Sequence, residues 1–255
     1  MPMSDRLRAA GWHLLISCCI ALLSAALVFL VWYPGLIARV SGVRDIYLLV
    51  LAVDVILGPA ITLVIFNTKK KMARELKRDL AVVGTIQILA LLYGLHTVFI
   101  ARPAFIVYNA GRFDVTYAND LDDKSLAQAT VKEYQSLPVL GPKLIASVAP
   151  TDVKARNKLL FDSVAGGADL PTLPQYFAPY ASQKTKIITK LQPLTSLVET
   201  NSKDRPAVDA LIQRYAASKT NVGFLPLKGK SDDLTVIIDR LSGEILEYVA
   251  LVPWK

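Results

Sequence analysis

The chain has 255 residues, with 29 Lys and Arg against 21 Asp and Glu, and 53% of its residues are hydrophobic. The basic excess is uneven, because the first 100 residues hold 10 basic and 5 acidic residues together with all three long apolar runs. Two adjacent cysteines and two histidines, all before residue 101, exclude a disulfide scaffold, a His-based metal site and a Ser/His triad from the remainder.

The three apolar runs predict three membrane spans at about residues 12–32, 46–66 and 80–100. Each reaches the roughly 20 residues that cross a bilayer. The first run is longer than the apolar core of a signal peptide and ends in bulky residues, so we interpret it as a retained anchor. The sequence therefore predicts a three-helix transmembrane domain at residues 1–101 and a second domain at residues 102–255.

The second run contains an acid and a helix breaker, Asp54 and Gly58-Pro59. An ionisable residue inside a span costs roughly 2.5–3.5 kcal/mol and usually has a function. Asp54, Gly58 and Thr62 are spaced i, i+4 and i+8 and share one stripe. Pro59 has no N–H and leaves the carbonyl of Val55 unpaired in an α-helix.

Gln87 in the third run is a natural partner for a buried carboxyl group. Three roles for Asp54 follow. It can belong to a proton relay with Gln87 and His96, it can hold the three helices together, or it can offer a polar contact to the transmembrane helix of another protein.

A basic loop separates the second and third runs. Such a basic cluster can bind nucleic acid or anionic lipid, but between two spans it is typical of a cytoplasmic loop. We therefore expect no nucleic-acid partner, a cytoplasmic N-terminus and a periplasmic C-terminal domain in a bacterial inner membrane. The loop's basic residues are Lys69, Lys70, Lys71, Arg74, Lys77 and Arg78.

The last 150 residues or so have the size of one ordinary domain. Alternating patterns predict strands at residues 104–108, 112–118, 143–148, 222–227, 234–239 and 244–252. Helices are predicted at 122–134, 152–164, 182–191 and 204–218, with an irregular loop at 169–180. The predicted fold is a periplasmic α+β domain with one mixed sheet and a C-terminal antiparallel β-meander.

Catalytic motifs are missing from the sequence. There is no nucleophile elbow, phosphate loop, zincin helix or dinucleotide fingerprint. Asp120-x-Asp122-Asp123 resembles a carboxylate metal motif, but an Asp pair before a helical pattern is typical of an N-cap. We expect neither catalytic residues nor a cofactor nor a metal, and therefore no enzyme.

Several segments resemble the type IV pilin accessory protein family (the TfpX/TfpZ type). The most specific is Gly42-Val43-Arg44-Asp45-Ile46, with the run that follows to Asn67 and then Lys69-Lys70-Lys71. Further segments are Asp79-Leu80, Gln87, Tyr93-Gly94, Thr97-Val98, Ala101-Arg102-Pro103, Leu170-Pro171-x-Leu173-Pro174, Pro179-Tyr180 and Pro253-Trp254.

The resemblance implies a pilin-specific membrane chaperone without catalysis that supports the stability or assembly of one cognate major pilin. It would contact both the transmembrane helix and the periplasmic head of the pilin, within the lipid bilayer, and it leaves room for contact with the pilus assembly machinery. The implied docking stripe is Asp54, Gly58, Pro59, Thr62 and Gln87.

The charge of Asp54 sets a condition on this docking. The resemblance implies a pilin helix that carries a buried Glu, and two ionised carboxylates would repel each other. Asp54 must then share a proton with that Glu or pair with the amino terminus of the pilin.

A membrane-anchored periplasmic sensor or ligand-binding protein is the alternative reading of the same sequence. It would need an output on the cytoplasmic side, where we expect a short N-terminal tail and one short loop.

Overall fold

The computed structural model describes residues 3–66 and 73–254. The chain divides into two compact units, which we call the helical unit (residues 1–34 and 43–101) and the α+β unit (residues 35–42 and 102–255). The sequence-based division placed the boundary once, after residue 101. The structure assigns Gly35–Gly42 to the α+β unit as well, so the chain passes between the units three times.

The helical unit consists of three long apolar helices, each long enough to cross a membrane. Span 1 is Ser4–Trp32, span 2 is Val43–Ile65 and span 3 is Arg74–Ile100. Few residues of each span are buried within the protein, as expected for helices that face lipid. The underlying helices are α1 (Met3–Ala26, continued by a π-helix at Leu27–Trp32), α3 (Val43–Ala52, continued by a π-helix at Val53–Leu57), α4 (Gly58–Ile65) and α5 (Ala73–Ile100), with α2 (Ile37–Ser41) between spans 1 and 2.

Span 2 packs against both other spans. Its Tyr47 hydroxyl lies 2.6 Å from the Ser24 hydroxyl of span 1 and donates to the Ala21 carbonyl at 3.0 Å. A side chain at Gly94 of span 3 would collide with Val50, so the two helices approach closely there. In a bilayer such small residues and polar contacts hold helices together, because lipid offers no competing hydrogen bonds.

The α+β unit contains one seven-stranded sheet with the order β4-β3-β1-β2-β5-β6-β7. The pairs β1–β3 and β2–β5 are parallel and the other four are antiparallel, so the sheet is mixed. The strands are β1 (Pro103–Asn109), β2 (Arg112–Tyr117), β3 (Lys143–Ser147), β4 (Phe177–Pro179), β5 (Val222–Lys228), β6 (Asp233–Asp239) and β7 (Ile245–Val249). The remaining helices are α6 (Asp123–Leu126), α7 (Val153–Val164), α8 (Lys184–Lys190), α9 (Leu197–Thr200) and α10 (Arg205–Ala217).

Both faces of the sheet are covered, which explains why all seven residues of β1 are buried. Successive residues of a strand point to opposite faces, and Phe105 and Ile106 accordingly belong to different core clusters. One face packs against α2 and α8, through Ile187 among others. The other face packs against α6 at one side and against α9 and α10 at the other.

Helix α2 belongs to the core of the α+β unit, although it joins two membrane spans. Ile37 and Val40 are buried in the same cluster as the strands. The Val40 carbonyl accepts hydrogen bonds from the N–H groups of Lys230 and Ser231, both at 2.9 Å. Gly42 ends the helix with a φ of +66°, and a side chain there would collide with Ser231.

The predicted fold class is confirmed: three apolar helices precede an α+β unit whose last three strands form an antiparallel meander. The predicted helix at 122–134 is wrong, because α6 ends at Leu126 and a 3₁₀ turn follows at Lys132–Tyr134. The predicted irregular loop at 169–180 contains the short edge strand β4. The last strand is shorter than predicted and ends at Val249.

Replacement of Ile37 by Ala should destabilise the α+β unit. Ile37 is 4% exposed, and truncation of a buried Ile to Ala costs about 2–5 kcal/mol. Pulse proteolysis of the full chain in detergent measures the free energy of unfolding. The matched control is Arg39→Ala in the same helix, which removes an exposed ion pair with Asp232 and should cost about 0–1 kcal/mol. Equal effects of the two variants would show that α2 is not part of the folded unit.

Asp239 should make the stability of the β6–β7 turn depend on pH. Its carboxylate accepts hydrogen bonds from the N–H groups of Leu241 and Ser242, at 2.6 and 2.8 Å, and these bonds lower the pKa of Asp239. A depressed pKa gives stability at neutral pH that is lost as the pH falls below about 4. The difference in unfolding free energy between wild type and Asp239→Ala should therefore shrink from pH 7 to pH 2. The corresponding difference for Ile37→Ala should stay constant, because that change removes no titrating group.

Candidate functional site

The middle of span 2 departs from α-helical geometry around Asp54. Val53–Leu57 is π-helical, so the N–H of residue i+5 faces the carbonyl of residue i. In this register the Asp54 carbonyl would need the N–H of residue 59, and Pro59 has none. With α-helical spacing, Pro59 would leave the carbonyl of Val55 unpaired, as expected from the sequence. In the π-helical register the carbonyl that lacks its N–H partner is that of Asp54.

Gln87 of span 3 satisfies this carbonyl. The distance between Gln87 Nε2 and the Asp54 carbonyl oxygen is 3.2 Å. Gly58 allows the approach, since a Cβ atom at that position would collide with the Gln87 amide. Gln87 was predicted to pair with the carboxyl group of Asp54. The structure shows it paired with the backbone carbonyl of the same residue instead.

Thr62, the third residue of the predicted stripe, contacts span 1. His13 Nδ1 and Thr62 Oγ1 lie 2.6 Å apart and share a hydrogen bond, and Thr62 is almost fully buried. Asp54, Gly58, Pro59 and Thr62 are all buried. The stripe therefore faces the neighbouring spans, with Thr62 toward span 1 and Gly58 toward span 3.

A groove of about 130 Å³ lies over Asp54, between spans 1 and 3. Span 1 supplies His13 and Ser17, span 3 supplies Gly84 and Gln87, and the lining is otherwise mostly apolar. The C-terminal ends of spans 1 and 3 meet, because the Tyr33 hydroxyl donates to the Val98 carbonyl at 2.8 Å. The two spans thus join at one end and leave a groove with a polar floor further along.

Two buried oxygen atoms at the groove have no hydrogen-bond partner among the described residues. They are Oδ1 of Asp54, a residue only 7% exposed, and Oε1 of Gln87. Buried polar atoms without partners are rare and costly, most of all away from water. This pair of unsatisfied acceptors marks the groove as the strongest candidate binding site in the described part of the helical unit.

The basic loop is only partly within the described residues. Lys69, Lys70 and Lys71 lie outside them. Arg74, Lys77 and Arg78 are exposed at the start of α5, and Arg78 lies 3.9 Å from Asp79.

The acidic residues near α6 serve as local caps. Asp122 accepts a hydrogen bond from the Ser125 N–H at 2.7 Å, and this backbone bond lowers the pKa of Asp122. Asp120 accepts from the Tyr117 N–H at 2.9 Å. These contacts fit the N-cap interpretation, and the described residues contain no group of three or more His, Cys, Asp or Glu that could hold a metal.

A partly buried acid of the α+β unit, Asp114, is also paired. Burial raises the pKa of Asp114, and the neighbouring Arg112 guanidinium opposes that rise. Arg112 Nε lies 3.0 Å from the Asp114 carboxylate, and its Nη2 lies 3.8 Å from Asp169. This cluster needs no ligand to satisfy it.

Helix α7 presents an apolar face that sequence reasoning missed. None of its residues is buried, and Phe161 and Val164 are 70% and 80% exposed. Val153 and Leu160 are exposed on the same helix. The apolar residues of α7 recur in the sequence with the 3.6-residue period of a helix. That period predicts an apolar face but does not show whether other parts of the protein cover it.

Comparison with known proteins gives consistent matches. The family model of fimbrial assembly protein FimB matches residues 2–42. A fimbrial assembly protein of Dichelobacter nodosus, from serogroup I, is 28% identical over 235 residues, which cover 91% of this chain and 90% of that protein. The protein from serogroup E1 gives the same identity and coverage.

A third relative is shorter. The fimbrial assembly protein of D. nodosus serogroups C1 and C2 is 30% identical over 122 residues, which are 92% of that protein and 48% of this chain. No solved structure matches the chain significantly. The segments that resemble the type IV pilin accessory proteins and the full-length matches agree, and the chain belongs to this family of fimbrial assembly proteins.

Proposed function

We propose that this protein is a membrane-bound accessory factor of type IV pilus biogenesis, which binds its cognate major pilin and supports pilin stability or assembly. The relatives' names, each of them a fimbrial assembly protein, support the assembly role. The observation that carries the pilin-binding role is the groove over Asp54, whose polar floor holds two acceptors without partners.

The shape of the groove supports docking of a helix. An α-helix with its side chains is about 10–12 Å wide, so a groove of about 130 Å³ receives one or two side chains of a helix that lies along spans 1 and 3. The exposed Ile16 and Ile88 flank it. They offer apolar contact to a transmembrane helix, while Asp54 and Gln87 offer specific polar contact.

The face of α7 supports a second contact, with the pilin head. Exposed apolar patches on soluble units commonly mark protein interfaces. Phe161 and Val164 on α7 are strongly exposed, and none of the helix's residues is buried. An apolar face of this kind on the α+β unit favours a protein partner.

The membrane orientation is part of the proposal. Arg6 and Arg8 at the start of span 1 and the exposed Arg74, Lys77 and Arg78 at the start of span 3 favour a cytoplasmic position for both ends. The α+β unit then lies in the periplasm of a bacterial inner membrane. We propose that the protein acts by binding, without catalysis.

Crosslinking from the groove should capture the pilin. A photoreactive amino acid at Ile88, which lines the groove, should crosslink to pilin in cells. The matched control is Leu22, which is also exposed in the membrane but does not line the groove. The yield at Ile88 should exceed that at Leu22 severalfold. Equal yields would contradict docking in the groove, and retention of a small molecule without pilin would favour a sensor.

Replacement of Asp54 by Leu should reduce the number of pili while the accessory protein itself stays abundant. The change removes the polar floor but leaves the Gln87 contact, because Gln87 binds the backbone carbonyl. Electron microscopy counts the pili and an immunoblot of the membrane fraction measures the protein. Loss of the protein itself would identify Asp54 as a folding residue and contradict its role in docking.

A further inference from the structure

The two unsatisfied oxygens in the groove are both hydrogen-bond acceptors. Asp54 Oδ1 and Gln87 Oε1 are buried and lack partners among the described residues. An ionised carboxylate and an amide oxygen accept hydrogen bonds and donate none. A complementary ligand must therefore bring N–H or O–H groups, and two acceptors call for at least two of them.

The residues that line the groove offer few hydrogen-bond donors to these two oxygens. The amide N–H of Gln87 is directed at the Asp54 carbonyl. Nδ1 of His13, the other titratable side chain in the lining, shares its hydrogen bond with Thr62. The residues that line the groove include no Lys and no Arg. An ionised Asp54 thus has no Lys or Arg partner in the lining, and an unpaired charge is costly inside a bilayer.

We propose that the groove binds an ammonium group carried by the transmembrane helix of the partner, with Asp54 Oδ1 and Gln87 Oε1 as its acceptors. This inference rests on the proposed function, since it names the chemical group by which the partner helix is recognised. An ammonium group has three N–H donors, and its positive charge can neutralise the ionised carboxylate of Asp54. A protonated carboxyl group has one O–H, so it would leave one of the two oxygens unsatisfied.

The ammonium group has two sources in a protein, the α-amino group at the start of a helix and the side chain of a lysine. Both present the same donors to the groove. The two sources can be distinguished by selective acetylation, which blocks one amine and leaves the other free. The experiment below separates them.

The test uses the full-length protein in detergent with a photoreactive amino acid at Ile88. The probe is a synthetic peptide of the cognate pilin's transmembrane segment, made with free amines, with an acetylated α-amine, and with acetylated lysines. Crosslink yield is measured against peptide concentration. Acetylation of the amine that binds should weaken binding by about 10- to 100-fold, the usual worth of a hydrogen bond to a charged group.

Two variants of the protein complete the test. Asp54→Asn keeps the size of the side chain but removes its charge. It should weaken binding of the free peptide by a similar factor, and acetylation of the peptide should then have no further effect on binding. The control variant is Thr97→Val, which removes a hydroxyl group of span 3 that does not line the groove, and it should bind the free peptide as tightly as wild type. The far-ultraviolet circular dichroism of each variant should match wild type, which shows that the helices remain intact.

The outcomes separate this inference from the proposed function. Equal binding of the free peptide and of both acetylated peptides, or an Asp54→Asn variant that binds like wild type, would overturn the ammonium assignment while leaving the groove as a pilin site. Wild-type protein that crosslinks neither the peptide nor full-length pilin would overturn the proposed function and this inference together.

Discussion

A membrane helix must satisfy its backbone polar groups within the protein, because the bilayer core offers no water. Span 2 breaks this rule locally, since Pro59 withholds the N–H that the Asp54 carbonyl would need in its π-turn. Gln87 repairs the defect from span 3, and Gly58 makes room for it. This hydrogen bond joins spans 2 and 3, while Oδ1 of Asp54 lies at the floor of the groove without a partner among the described residues. The arrangement of the candidate site therefore follows from one missing hydrogen-bond donor.

The chain crosses between the helical unit and the α+β unit after residues 34, 42 and 101, so each span is joined covalently to the α+β unit. Between the first two crossings lies α2, whose Val40 carbonyl is hydrogen-bonded to the β5–β6 loop and whose Ile37 is in the core. The short segment between spans 1 and 2 is therefore a packed part of the α+β unit and not a free connection.

Sequence patterns predicted the parts of this structure that depend on local periodicity. The three spans, strands β1 to β3 and the meander β5 to β7 all follow from runs of apolar or alternating residues. Helix α2 was missed because five residues between two spans resemble a loop in the sequence. Their helical structure depends on the packing of Ile37 in a core formed by residues far along the chain. Strand β4 was missed because three residues ending in Pro179 carry no strand signal. The His13–Thr62 contact joins residues 49 positions apart, and its existence depends on how two helices pack. The stripe of Asp54, Gly58 and Thr62 was visible in the sequence. The two unsatisfied acceptors, on Asp54 and Gln87, can be recognised only when the packing of the three helices is known.

The geometry also bears on the three roles that the sequence left open for Asp54. A proton relay requires a continuous series of groups that exchange protons across the membrane. His96 is exposed and does not line the groove, and His13 Nδ1 is engaged by Thr62. A purely structural role requires that the carboxyl group bind a neighbouring span, yet the contact between spans 2 and 3 uses the backbone carbonyl of Asp54 and leaves Oδ1 unpaired. Oδ1 of Asp54 thus takes no part in the contact between spans 2 and 3, which favours the third role, a polar contact offered to the helix of another protein.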